Sequence, residues 1–143
     1  MKKLFFIVAV MFFTSAFIDA QEIGARFGNS YAGNVAVDGV FTYDKTMRIH
    51  GDVSFGDYGV QLDALWDFMY EPSGVENLRW YAGGGVAALF GDLFLLGVAG
   101  EIGAEYRFEF PVSLSFDWRP IFTVVEYTDF SIDNFGLNIR YVF

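Results

Sequence analysis

Residues 60–70 read VQLDALWDFMY, and in this stretch apolar side chains alternate with mostly polar ones. A period of two is the period of a β-strand, whose successive side chains point to opposite faces. One face would carry Val60, Leu62, Ala64, Trp66, Phe68 and Tyr70. The other would carry Gln61, Asp63, Leu65 and Asp67. The stretch therefore predicts a long strand with one apolar face and one largely polar face.

The same alternation continues along the chain from residue 22 to residue 143. Eight strands are predicted, at residues 22–29, 33–43, 46–55, 59–70, 77–90, 93–108, 111–122 and 131–143. The segments between them are rich in residues that suit tight turns, and only the loop near 123–130 is longer. The expected fold class is all-β: a single domain, residues 21–143, that forms an eight-stranded antiparallel up-and-down β-barrel.

The charged residues follow the polar face of the predicted strands. That face carries all six arginines, one on each of six strands: Arg26, Arg48, Arg79, Arg107, Arg119 and Arg140. It also carries seven acids: Asp38, Asp52, Asp63, Asp67, Glu101, Glu105 and Asp117. An isolated buried charge is costly, whereas a paired one is tolerated, and the planar fork of arginine suits dense networks with carboxylates. The near balance of signs predicts a barrel interior filled with ion pairs.

Alternation alone fits a water-soluble barrel, with its apolar face inside, and a transmembrane barrel, with its apolar face against lipid. The apolar face holds three tryptophans and most of the 18 phenylalanines, which is too much volume for the interior of eight strands. Aromatic side chains also gather near strand ends, as in interfacial girdles. One predicted rim carries Phe41, Tyr70, Trp80, Tyr106, Tyr141 and Phe143, and the other carries Phe27, Phe55, Phe90, Phe94, Phe122 and Phe135. A transmembrane β-barrel is therefore expected.

The first twenty residues have the layout of a secretory signal peptide. Lys2 and Lys3 form a positive segment, the run 4–13 is apolar, and Ala20 precedes Gln21. Cleavage is expected after Ala20, with Ala16 as the alternative site. This division gives residues 1–20 as the signal peptide and residues 21–143 as the exported barrel.

Composition excludes several classes of protein. The chain has no cysteine, which excludes disulfides, thiolate metal sites and a lipoprotein anchor. Its formal net charge is −9, and an acidic chain gains nothing from counterion release on nucleic acid. We therefore expect no nucleic-acid partner.

The last eight residues, GLNIRYVF at 136–143, resemble the terminal strand of bacterial outer-membrane proteins. The whole exported chain resembles small eight-stranded barrels of the OmpX and OmpA-barrel type. With its segment FDWRP at 116–120, it is similar to short outer-membrane barrel proteins of Bacteroidetes. The resemblance implies a location in the outer membrane, contact with its lipids, and recognition of the strand ending in Phe143 by the barrel-assembly machinery. A monomer is expected.

His50 is the only histidine and lies between Arg48 and Asp52 on the polar face. One hypothesis makes it catalytic, since some eight-stranded outer-membrane barrels resemble acyltransferases or deacylases of lipid A. Such chemistry needs a serine and an acid within reach of the histidine. Ser54 is on the same face, but alternate strand residues lie roughly 6.6–6.8 Å apart, and no His-x-Ser pair exists. A structural histidine in the lumen is the favoured interpretation.

The paired acids are interpreted as members of lumen salt bridges. Glu101 and Glu105 lie four residues apart on one strand, roughly 13 Å apart, too far for a general acid/base pair. Asp63 and Asp67 have the same spacing. For Arg48, the candidates are Asp52 or a cross-strand acid such as Asp63, and the strand register that decides between them cannot be deduced from the sequence.

The sequence thus predicts no catalytic, cofactor-binding or metal-binding residue and no cofactor. It favours a structural or interaction role for a barrel with a plugged, charged lumen. The alternatives are a lipid-modifying enzyme using His50, a narrow pore, and a soluble periplasmic lipid-binding barrel.

Overall fold

The computed structural model describes residues 21–143, and the predicted signal peptide, residues 1–20, lies outside the described residues. Within these described residues, ten β-strands form one sheet. Their bounds are β1 Gln21–Gly28, β2 Val35–Thr42, β3 Arg48–Gly56, β4 Gly59–Pro72, β5 Leu78–Phe90, β6 Phe94–Arg107, β7 Val112–Trp118, β8 Ile121–Thr123, β9 Asp129–Ser131 and β10 Phe135–Val142. The described residues contain no helix that is long and apolar enough to cross a membrane.

The sheet closes on itself into a barrel. Consecutive strands from β1 to β7 pair antiparallel, and β7 pairs with β10, which returns to β1. The N–H of Phe143 donates to the carbonyl of Gln21 across this last seam (2.9 Å). Because β7 continues into β8 and β9 into β10, the barrel has eight strands, and the predicted all-β antiparallel barrel is confirmed.

The strand ends define the two ends of the barrel. One, called here the terminal end, holds both ends of the described chain and the turns 43–47, 73–77 and 108–111. The other, the opposite end, holds the loop 29–34, the turns 57–58 and 91–93, and the turn 124–128. This arrangement follows from the even number of strands.

The seventh and eighth strands are interrupted where the sequence predicts continuous strands. β7 ends at Trp118 and β8 begins at Ile121, because Pro120 lacks the N–H that a ladder requires. On the facing strand, residues 132–134 separate β9 from β10, and the N–H of Arg119 donates to the carbonyl of Asn134 across the interruption (2.8 Å). The loop predicted at 123–130 is shorter in the structure, so both of its predicted bounds are wrong. β8 and β9 extend into it and pair with each other as a short hairpin.

A bulge in β4 reverses the predicted orientation of Tyr70. Asp67 pairs with Gly83, but Met69 pairs with Ala82, so one extra residue is inserted at Phe68. Phe68 and Met69 both face outward, and Tyr70 turns inside with 3% of its surface exposed. The prediction of Tyr70 on the apolar face and at the aromatic rim is therefore wrong, because a bulge shifts every later side chain to the other face.

The outer face is apolar and the interior is largely polar, as the alternation predicts. Thirty-four large hydrophobic residues are exposed on the described chain. The seven predicted interior acids are all buried, and so are four of the six arginines: Arg26, Arg48, Arg119 and Arg140. Arg79 and Arg107 are half-buried at the terminal end.

At the opposite end the interior is apolar, a layer that the sequence reasoning did not predict. Loop 29–34 folds inward, so that Tyr31 packs against two small clusters. The clusters comprise Leu65, Ala87, Ala99 and Ile121, and Ala32, Leu89 and Leu95. The Tyr31 hydroxyl lies 3.0 Å from the Thr123 hydroxyl, and its backbone N–H donates to Gln61 Oε1 (2.7 Å). This loop closes one mouth of the barrel.

Candidate functional site: the charged lumen

Arg48 holds two carboxylates and two aromatic rings in the lumen. Its Nε donates to Asp67 Oδ2 (2.8 Å), and its Nη1 pairs with Glu105. The guanidinium lies 4.4 Å from the ring centroid of Tyr70 and 4.1 Å from that of Tyr81. Cation–π contacts of this kind add to the ion pairs. The inward turn of Tyr70 at the bulge is what supplies the first of these rings.

Neither of the two candidate acids named from the sequence, Asp52 and Asp63, pairs with Arg48; its partner across the strands is another acid, Asp67. The register places Arg48 directly across from Asp67, whereas Asp52 lies across from Asp63, four residues further along β3. Two carboxylates facing each other need a shared cation, and Arg119 provides it. The cross-strand register decides which acid pairs with Arg48, and this register cannot be deduced from the sequence.

Arg119 joins three carboxylates from three strands. Its Nη1 donates to Asp52 (2.6 Å) and Asp63 (2.9 Å), and its Nη2 donates to Glu101 (2.7 Å). Its side chain is 1% exposed. Arg119 lies in the interruption between β7 and β8, so the break that Pro120 imposes is also where this guanidinium enters the lumen. The predicted assignment of Asp63 and Glu101 to interior salt bridges is confirmed.

His50 lies between carboxylates on both sides of its ring. Nε2 is 2.7 Å from Asp38 Oδ1, and Nδ1 is 2.9 Å from Glu101 Oε2. An ionised carboxylate only accepts hydrogen bonds, so each ring nitrogen has an acceptor beside it, which is the arrangement that suits the imidazolium form. Arg140 Nη2 lies 3.1 Å from the same Nε2, and the two cations share Asp38, whose Oδ2 accepts from Arg140 Nε at 2.5 Å.

The triad geometry that a catalytic His50 would need does not form. Among the described residues, the polar side chains that contact His50 are Asp38, Asp52, Glu101 and Arg140. Ser54, the candidate nucleophile of the sequence analysis, is buried but is not one of them. The ring is fully buried, and the ring of Tyr81 packs edge-on against it with the centroids 6.4 Å apart.

Arg26 and Arg107 form the ion pairs at the two ends of the network. Towards the opposite end of the barrel, Arg26 donates to both carboxylate oxygens of Asp117 (2.7 and 3.3 Å). At the terminal end, Arg107 pairs with Glu22 (2.5 Å) and Glu105 (3.0 Å). Glu22 is a residue that the sequence reasoning missed, although it shares the phase of Arg26 on β1 and so belongs to the inner face.

The formal charges of the lumen nearly cancel. Eight carboxylates face it: Glu22, Asp38, Asp52, Asp63, Asp67, Glu101, Glu105 and Asp117. Against them stand six arginines and the His50 imidazolium. Glu22 and His50 add one charge of each sign to the six and seven that the sequence predicts, so the predicted near balance is retained. Such pairing is the condition under which buried charges are tolerated.

His50 also takes part in two groups that bring three potential metal ligands together. These are Asp38, His50 and Asp52, and His50, Asp67 and Glu101, with ligand atoms within 4.8 Å of one another. A metal-bound histidine must offer a lone pair, yet both nitrogens of this ring face carboxylate acceptors. Arginines form ion pairs with the carboxylates of these same groups. The arrangement therefore suits an ion-pair network better than a metal centre.

The lumen is packed by its side chains. The largest of them are enclosed, with at most 1% of their surface exposed: Arg48, Arg119, Arg140, Tyr81 and Leu65. Tyr81 fits because residue 103 is glycine, since a Cβ there would lie 2.4 Å from the tyrosine ring. A water-filled channel would expose the side chains that line it. The described interior is that of a small, filled barrel.

Comparison with protein-family models, with curated proteins and with solved structures finds no match to this chain. The functional argument therefore depends on the fold, the outer face and the lumen. The resemblance of the C-terminal strand to those of outer-membrane proteins stays an expectation.

Proposed function

We propose that the exported chain is a bacterial outer-membrane β-barrel with a structural or interaction role. The observation that carries the proposal is the inverted distribution of side chains: charges inside, large apolar groups outside. Soluble monomers rarely expose apolar patches larger than a few hundred Å². An outer face such as this one is stable against lipid, which covers it without cost.

The closed backbone supports the same proposal. In a hydrocarbon layer every backbone N–H and C=O must be paired within the protein, so only helices and closed barrels span it. The β1–β10 seam removes the free edge that an open sheet would leave. The longest strands, β4 and β6, have 14 residues each, more than the roughly 9–11 that a tilted strand needs to cross.

Aromatic contacts at both ends fit the girdles of a membrane barrel. At the terminal end, Phe108 packs against Tyr106 and Phe110 with ring centroids 5.0 Å apart, and Trp66 Nε1 donates to the Tyr43 hydroxyl (2.7 Å). At the opposite end, Phe90 lies 5.3 Å from Phe94. Tyrosine and tryptophan place an apolar ring in lipid and a polar group in water.

Within this proposal His50 and the arginines are structural. Among the described residues, their ion pairs join seven of the eight barrel strands across the lumen, and β5 joins the network through Tyr81, whose ring contacts Arg48. The partners of the barrel are outer-membrane lipids and the assembly machinery, which would recognise the last strand and Phe143. The proposal takes the barrel as a monomer, because both seam strands are already paired within one chain.

Cell fractionation of the full chain tests the proposal. We expect the cleaved protein in the outer membrane, resistant to extraction by salt, and migrating differently on a denaturing gel before and after boiling. A variant lacking residues 2–20 is the control, and it should stay inside the cell. Recovery of most of the exported protein as a soluble periplasmic monomer would contradict the proposal and favour the lipid-binding alternative.

A further inference from the structure

Arg79 is the one lumen-facing arginine that has no carboxylate partner in the described part of the chain. The other five each lie within 4.0 Å of at least one carboxylate oxygen. Arg79 instead lies over the ring of Tyr70, 4.4 Å from its centroid, and donates through Nη2 to the Tyr70 carbonyl (3.3 Å). Its Nε is buried and has no hydrogen-bond partner. Arg48 Nη2 and Arg119 Nε are also buried without a partner, so what distinguishes Arg79 among the described arginines is that its guanidinium has no carboxylate.

The carboxylate nearest in register cannot serve Arg79, because its oxygens are already used. Glu105 is the cross-strand partner of Arg79 on β6. Its Oε1 accepts from Arg107 (3.0 Å) and from the Tyr70 hydroxyl (3.2 Å), and its Oε2 pairs with Arg48. The positive charge of Arg79 is therefore left over at the terminal end of the barrel.

Arg79 and Arg107 line a concavity at this end, under the turn between β4 and β5. Its volume is about 520 Å³, within the roughly 300–1,000 Å³ of small-ligand pockets. Pro72, Gly74, Glu76 and Asn77 form part of the wall. Gly74 and Asn77, in the turn that lines the concavity, have φ angles of +91° and +62°. Glu76 is the acid on this wall, and it forms no ion pair with Arg79.

We propose that this concavity binds a singly charged oxyanion group through the guanidinium of Arg79. Arginine offers paired N–H donors that match the oxygens of carboxylates and phosphates. The local charges favour one negative charge rather than two. Of the charged side chains that line the concavity, Arg79 and Arg107 are positive and Glu76 is negative, which leaves a single positive charge in excess. A phosphodiester is such a group, free in solution or as a lipid headgroup.

Titration of the folded barrel in an uncharged, phosphate-free detergent tests the proposal. One arm uses dimethyl phosphate, a phosphodiester without acyl chains, and the other a short-chain phosphatidylglycerol added to the micelle. NMR follows the Nε–H of Arg79 and the amides of Gly74 and Asn77. Sodium chloride at equal ionic strength corrects for screening. We expect saturable shifts at these positions in at least one arm.

Three variants make the test specific. Arg79→Gln should weaken binding by about tenfold or more, because it removes a charged donor. Glu76→Gln should strengthen binding, since it removes the acid on the wall. Lys45→Gln, which removes a cation from another turn at the same end, should leave the affinity unchanged. Gel migration before and after boiling confirms that each variant is folded.

The outcomes separate the two sources and can overturn the proposal. Shifts with dimethyl phosphate support binding of a free phosphodiester, and shifts with the lipid alone support binding of a headgroup. The absence of saturable shifts in both arms would overturn the proposal. So would equal binding by wild type and the folded Arg79→Gln variant, or weaker binding by Glu76→Gln.

Discussion

Replacing Arg48 with methionine tests the ion-pair lumen at its most enclosed point. Arg48, Asp67 and Glu105 each have side chains that are 0% exposed, so no water can replace the lost cation without a rearrangement. Removing one partner of a buried ion pair costs about 3–5 kcal/mol. Loss of stacking on Tyr70 and Tyr81 adds about 0.5–2 kcal/mol. We expect the free energy of unfolding to fall by about 4–6 kcal/mol.

Urea unfolding of the barrel in detergent micelles measures this change, with tryptophan fluorescence and gel migration as two independent probes. Lys45→Met is the matched control, because it removes a cation from an exposed turn and should change the free energy of unfolding by no more than about 0.5 kcal/mol. A loss for Arg48→Met no larger than that of the control would refute the enclosed lumen.

A double-mutant cycle then identifies the partner. Asp67→Asn should couple to Arg48→Met by about 1.5–3 kcal/mol, because the two side chains share a charged hydrogen bond. Asp52→Asn should be additive with Arg48→Met to within about 0.5 kcal/mol, because Asp52 pairs with Arg119 instead. Coupling to Asp52 and not to Asp67 would show that the β3–β4 register is wrong.

Other perturbations test the outer face, the bulge and the last strand. Leu62→Arg, on the outer face of β4, should cost roughly 2–4 kcal/mol in a bilayer, while Tyr58→Arg in the adjacent turn should cost at most about 1 kcal/mol; equal costs in urea titrations would contradict a lipid-facing β4. Met69→Cys should react with a lipid-soluble maleimide and Tyr70→Cys should not, and the reverse pattern would place the bulge elsewhere. Deleting Phe143 should lower the amount of folded, membrane-inserted barrel far more than it lowers synthesis, measured by fractionation against total protein, and equal folded amounts would refute a role in assembly.

Much of the fold was predictable because alternation is a local property. The phase of each strand places Asp38, Glu101 and Asp117 inside without any knowledge of pairing. The eight-strand count follows from the number of alternating segments. The sequence predicts a strand that runs through Pro120 to residue 122, because alternation alone does not show that the missing N–H interrupts the ladder before Ile121 resumes pairing.

The partners within the lumen could not be predicted, because they depend on register and on one inserted residue. Phe68 and Tyr70 are both aromatic, so the sequence keeps an unbroken period of two across the bulge, although the bulge puts the two side chains on opposite faces. Arg48 forms its ion pair with Asp67 because of the β3–β4 register. Tyr70 contacts Arg48 because the bulge turns its side chain into the lumen. That Arg79 has no carboxylate partner can be recognised only once the partners of the other arginines are known.

Quenching of tryptophan fluorescence by brominated acyl chains tests the central claim most directly. Trp66 and Trp118 have exposed fractions of 50% and 36% on the outer face. In bilayers of brominated phosphatidylcholine, we expect strong quenching of the folded barrel and weak quenching by acrylamide from the water. Strong quenching by acrylamide with no effect of the brominated chains would contradict a barrel whose apolar face lies against lipid.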